Sequence, residues 1–168
     1  MMDAASFVQA VREKLHPNTY PGSLQTTASP FSLLLARSGG RFSHDVFGVL
    51  EVQAGTDVTS LIDAARRDVA ARFGSLCYRR SIVLHLLVHG PIAAWQDVIG
   101  LLCADRTGFR GVMIPSVYVV DPATGAGHKS TARWGGLRYS KRTETTAVQV
   151  HSMVDPLLPA GTCFDTVR

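Results

Sequence analysis

Apolar residues fall at helical spacing near the start of the chain, where Phe7, Val8, Val11 and Leu15 share one face. Asp3 stands where an N-cap belongs and Pro17 just past the end, which predicts an amphipathic helix over residues 4–15. The stretch HPNTYPGSLQTTASP has no apolar period and many turn-forming residues, so 16–30 is expected to be an irregular loop. Two apolar runs then flank Ser38-Gly39-Gly40-Arg41, FSLLLAR before it and FSHDVFGVLEV after it. Short apolar runs joined by a glycine turn predict a β-hairpin.

Residues 57–73 return to the helical period, with Val58, Leu61, Ile62, Ala65 and Val69 on one face, Thr56 or Asp57 as cap and Gly74 as stop. IVLHLLVH at 82–89 is a continuous Leu-rich and β-branched run, the pattern of a strand buried on both faces. Pro91 suits the first turn of a helix carrying Ile92, Trp95, Ile99 and Leu102. VMIPSVYVVD at 112–121 predicts another strand, with Pro115 requiring an edge or a bulge because it lacks a ladder donor. AGHKSTARW continues as strand after a turn, and the alternating Val148 and Val150 in TTAVQVHSMV predict a strand over 145–154. No period is visible in 155–168, which is expected to be an irregular tail.

Hairpins force antiparallel pairs and strand–helix–strand steps allow parallel ones. The expected architecture is a single α+β domain: a mixed, mostly antiparallel sheet of five or six strands, with two helices packed on it and an N-terminal helix. A length of 168 residues is enough for one such core without disulfides or structural metal. The three cysteines, Cys77, Cys103 and Cys163, are widely spaced with no CxxC pair, so they read as free thiols. No apolar stretch reaches the length of a membrane span and the start lacks the basic character of a signal peptide, so a soluble, intracellular protein is expected.

Charged residues are only 18 % of the chain, against roughly 25 % in typical domains. Interface cores are depleted in charge, so this leads to the expectation of a homo-oligomer or a protein partner. A net charge of +4 permits contact with polyanions without requiring it.

The segment DPATGAGHKST invites comparison with a phosphate-binding loop, GxxxxGK[ST]. With Lys129 as its lysine, both glycine positions fail, being Ala123 and His128, and Gly135-Gly136 interrupts the helix that should follow. A hairpin turn explains the segment better: Asp121 to bond the turn backbone, Pro122 to preset φ and Gly125 in the left-handed conformation. Lys129 then becomes an outward strand residue.

His85 and His89 share a strand face, yet four residues at a ~3.3 Å rise separate them by ~13 Å, too far for one metal ion. The expectation is a buried histidine bonded to backbone and a second near the strand's C-terminal end. Asp45, Glu51 and Gln53 share a face with Ser43, and the two acids faintly resemble the magnesium-holding pair of PD-(D/E)xK nucleases. Both acids lie on one strand rather than two, however, and Gln53 replaces the lysine, so no roles are carried over. Absence of GxSxG, HExxH and paired-cysteine spacings leaves no catalytic residue, no metal ligand and no cofactor to assign.

One segment does combine charge with rings. Arg133, Trp134, Arg138, Tyr139, Lys141 and Arg142 place four cations and two aromatics in ten residues with no acid among them, a composition suited to phosphates and stacked bases. The expected function is a non-catalytic binding or assembly module that contacts RNA or another polyanion through this segment. The alternative is a metal-dependent hydrolase or nuclease using Asp45, Glu51 and a histidine.

Overall fold

The structure is a computed structural model that describes residues 3–16, 18–40, 43–73, 81–99, 112–132 and 148–167. Its first element is helix α1, Ala4–Leu15, capped by the Asp3 side chain, which accepts from the Ser6 N–H at 2.9 Å. At its other end the Leu15 carbonyl accepts from the N–H groups of Thr19 and Tyr20. The predicted apolar face is the one that packs, with Phe7, Val11 and Leu15 buried.

Among the described residues seven strands form one sheet in sequence order: β1 Gly22–Leu24, β2 Phe31–Gly40, β3 Ser43–Glu51, β4 Ser81–His89, β5 Val112–Asp121, β6 Ala126–Ala132 and β7 Cys163–Val167. The pairs β1/β2, β2/β3 and β5/β6 are antiparallel, whereas β3/β4, β4/β5 and β6/β7 are parallel. The sheet is therefore evenly mixed, not mostly antiparallel, and larger than the five or six strands expected. Two strands arise where irregular chain was expected: β1 within 16–30 and β7 within 155–168.

Helix α2, Val58–Phe73, links β3 to β4 and begins at Asp57, whose carboxylate accepts from the N–H groups of Thr59 and Ser60. It lies on one face of the sheet, where Val58, Ile62, Ala65 and Val69 meet Val46, Leu50, Leu84, Leu86, Val117 and Val119. Trp95 and Ile99 fill the same side. The opposite face carries α1 together with Val150 and Val154, packed on Leu33, Leu35, Phe47, Val49, Leu87, Tyr118 and Val120. The N-terminal helix is thus a full layer of the fold, and β4, buried along its described length, runs between two cores.

Residues 148–154 are helical, not the strand their alternating valines predict. Val150 and Val154, four apart, are the buried pair, and Val148 is left 69 % exposed. Burial against the sheet overrides the strand preference of Val here.

Pro115 behaves as its missing donor requires. The register of β5 on β4 shifts between Val83 and His85, whose partners are Met113 and Ser116, so Pro115 sits in a bulge of an interior strand. The β5/β6 turn is the expected one. Gly125 adopts φ +67°, its N–H donates to the Asp121 carbonyl at 2.9 Å, and Asp121 Oδ1 accepts from Ala123 and Thr124. Burial works to raise the Asp121 carboxyl, but those N–H groups hold it below the usual carboxylate value.

Candidate functional site

Alternation along the strands sets which polar residues share the α1 face. Leu33 and Leu35 of β2, Phe47 and Val49 of β3, Leu87 of β4, and Tyr118 and Val120 of β5 all pack there. Arg37, Asp45, His85 and Ser116 are two residues from members of that set on the same strands, so they lie on the same face. The register lines them up: Arg37 opposes Asp45, and His85 opposes Ser116. A polar row thus crosses four strands beneath an otherwise apolar layer.

Its bonds are specific. Arg37 Nε donates to Asp45 Oδ2 at 2.6 Å, and the Tyr20 hydroxyl, from the loop after α1, donates to Oδ1 at 3.1 Å. His85 Nε2 lies 3.2 Å from the same Oδ1 at ion-pair distance, without the alignment of a hydrogen bond. On its other side His85 Nδ1 meets Ser116 Oγ at 2.6 Å. Asp45 is 5 % exposed, while Tyr20, His85 and Ser116 are fully buried. The Arg37 guanidinium also stacks over the Tyr20 ring at 5.1 Å.

Electrostatics follow from this packing. Burial alone would raise the Asp45 carboxyl, yet the facing His85 and the Arg37 charge outweigh it and hold the group below its ordinary value. Burial, reinforced by the Asp45 charge, pushes the Tyr20 hydroxyl far above its ordinary value, so it acts as a donor throughout the accessible pH range.

Carboxylate, imidazole and hydroxyl in sequence are the groups of a hydrolytic relay, but here the ring nitrogens are used in the reverse order, Nδ1 toward the hydroxyl. A nucleophile must also meet its substrate, and the Ser116 side chain has no exposed surface. What the arrangement does chemically is neutralise a buried carboxylate from several directions.

His85 is buried as expected, though its partners are side chains and not backbone. His89 sits at the C-terminal end of β4, 8 % exposed, its ring centroid 5.1 Å from that of Phe7. Glu51 is exposed at the far end of β3, six residues from Asp45, or ~20 Å along the strand. The fold does not bring the two acids together, and Gln53 lies beyond the strand. No group of three or more His, Cys, Asp or Glu is placed to hold a metal ion among the described residues.

Lys129 is less outward than expected: its ammonium pairs with Asp155, lies 5.3 Å from the Phe164 ring centroid, and the side chain is 15 % exposed. Arg133, Trp134, Arg138, Tyr139, Lys141 and Arg142 lie outside the described residues, as do Cys77 and Cys103. Tyr20, Arg37 and Ser116 were not singled out from sequence. The signal available was a polar residue at the inward position of successive apolar strands. Among the described residues no helix is long and apolar enough to cross a membrane.

Comparison of the chain with protein-family models, with curated proteins and with solved structures gave no match.

Proposed function

We propose that this chain is a soluble, intracellular, non-catalytic binding or assembly module. It self-associates or holds a protein partner, and contacts RNA or another polyanion through Arg133, Trp134, Arg138, Tyr139, Lys141 and Arg142. The observation that carries the non-catalytic part of the reading is the closure of the polar row: Asp45, His85 and Ser116 are turned toward one another and toward Tyr20 and Arg37, and at most 5 % of any of the three is exposed. Groups spent on one another inside a core are unavailable to a substrate. Self-association rests on the low charge content of 18 %. The second half rests on the sequence of the segment, four cations and two rings without an acid.

A mass measurement in solution, with and without single-stranded RNA at low salt, tests both halves. Self-association appears as a concentration-dependent mass and RNA binding as a mass increase that fades with salt. A monomer at all concentrations that ignores RNA at low salt refutes the reading. Replacing Arg138, Lys141 and Arg142 by Ala should flatten the salt dependence by up to about three counterions' worth of slope.

The competing reading, a metal-dependent hydrolase using Asp45, Glu51 and a histidine, has one observation in its favour, the 3.2 Å approach of His85 to Asp45. Magnesium- or manganese-dependent nucleic-acid cleavage that disappears in Asp45→Asn, at unchanged fold, would establish it in place of the module.

A further inference from the structure

β7 is the outermost strand of the sheet, paired only with β6 among the described residues. Among the described residues no second strand pairs with its outer backbone groups, and such a ladder is a surface that invites another chain. The two large apolar side chains that stand exposed among the described residues are at this same edge. Phe164 is 50 % exposed on β7, and Val148 is 69 % exposed on the helical residues 148–154. They flank one residue: the His151 ring lies 5.2 Å from that of Phe164, and Val148 is three positions before His151, on the same helical side.

We propose that this edge is where two copies of the chain join, β7 pairing antiparallel with β7 about a two-fold axis normal to the sheet, with Phe164 opposite Phe164 of the second copy. The proposal deepens the assembly reading above and rests on it. A two-fold axis in that direction keeps the α1 layers of both copies on one side, so the Phe164 rings and the two 148–154 helices approach together, and each copy covers the other's apolar residues. An aromatic pair directly across two strands is a favourable contact. Charge selects a second copy over a polyanion: the cation beside Phe164, Lys129, is already matched by Asp155. The opposite edge offers no comparable mate, since β1 has three residues. Three opposed strand residues, 163–165, and a helical turn per copy fall short of a standard interface of ~1,600 Å², so the dimer is a weak one.

Sedimentation at concentrations from micromolar to several hundred micromolar reads the dimer directly. The wild type should dimerise, and Phe164→Glu should weaken the dimer at least tenfold at an unchanged melting temperature, because the ring is half exposed. In the proposed register Cys163 faces position 165 of the second copy, and directly opposed antiparallel residues have Cα atoms ~4.5–5.5 Å apart, within the reach of a disulfide. Asp165→Cys under mild oxidation should therefore give a covalent dimer whose linkage joins positions 163 and 165, identified by peptide mass. A monomeric wild type overturns both this surface and self-association. A dimer that survives Phe164→Glu overturns the surface and leaves the assembly reading standing. Should Phe164→Glu fail to fold, the cross-link decides, and its absence overturns the surface.

Discussion

The Tyr20 hydroxyl donates to Asp45 Oδ1 at 3.1 Å, and Tyr20 also caps α1 by donating its backbone N–H to the Leu15 carbonyl. One residue therefore ties the end of a helix to a buried carboxylate on the strand below. Tyr20→Phe keeps the ring and deletes the donor, and should cost about 1.5–3 kcal/mol, the range for a hydrogen bond to a charged group. Asp45→Asn, which leaves Arg37 and His85 facing a neutral amide, should cost on the order of 3 kcal/mol. Denaturant unfolding of both single variants and the double variant checks this: the double should cost less than the sum, since Tyr20→Phe deletes the bond that Asp45→Asn deprives of its charged acceptor.

Acid should dissolve the same network. The folded state holds the Asp45 carboxyl below its ordinary value, so the folded state binds the proton less readily than the unfolded chain. Stability from this group is fully present above the unfolded carboxylate value of ~3.9 and is lost as pH falls through the lower folded value. Melting temperature followed from pH 6 to pH 2 should fall in the wild type, and the part of that fall due to Asp45 should be missing from Asp45→Asn.

Much of this organisation is legible in the chain, for identifiable reasons. β3, β4 and α2 are long and strongly patterned, and the Asp121 to Gly125 turn carries its own chemistry, so each is readable locally. β7 is not, because CFDTV has no apolar run and becomes a strand only by pairing with β6, more than thirty residues earlier in the chain. The 148–154 helix misleads because Val148 and Val150 imitate a strand, and only the buried pair Val150 and Val154 reveals the helical period. The polar row is hidden for a different cause. Its members come from the α1 loop and from β2, β3, β4 and β5, and nothing in a linear reading says that Arg37, Asp45, His85 and Ser116 fall into line.

Close packing between two strands should make Gly48 irreplaceable. A Cβ there would meet Phe31 Cε1 at 2.4 Å and Cδ1 at 2.7 Å. Phe31 is itself 3 % exposed and has little room to yield. Gly48→Ala should destabilise by about 1–3 kcal/mol, and Phe31→Leu in the same chain should recover part of that loss. Thermal melts of the three variants would show it; additive losses would mean the two positions do not compete for space.

Two turn positions should respond with opposite signs. Gly125 has φ +67° and open space around its Cα, so Gly125→Val suffers from backbone strain alone and should cost about 1–2 kcal/mol. Ala28 is a non-glycine residue at φ 60°, in the turn where the Ser29 N–H donates to the Thr26 carbonyl. Ala28→Gly relieves that conformation and should stabilise by about 0.5–1 kcal/mol, reading as a raised unfolding midpoint.

The bulge at Pro115 has a meaning for strand length. Before it Ile114 faces α2, and after it Val117 and Val119 do, so even positions give way to odd ones within a single strand. The extra residue is what turns Ser116 toward His85 and Tyr118 toward α1. Flattening the bulge at unchanged residue count would reverse the assignment of everything as far as the turn, sending a tyrosine and a serine into the α2 core and two valines against the Asp45 network, whereas deleting the extra residue would leave each of them on its present face. The bulge is thus the device by which β5 carries one residue more than its neighbour and still serves both layers.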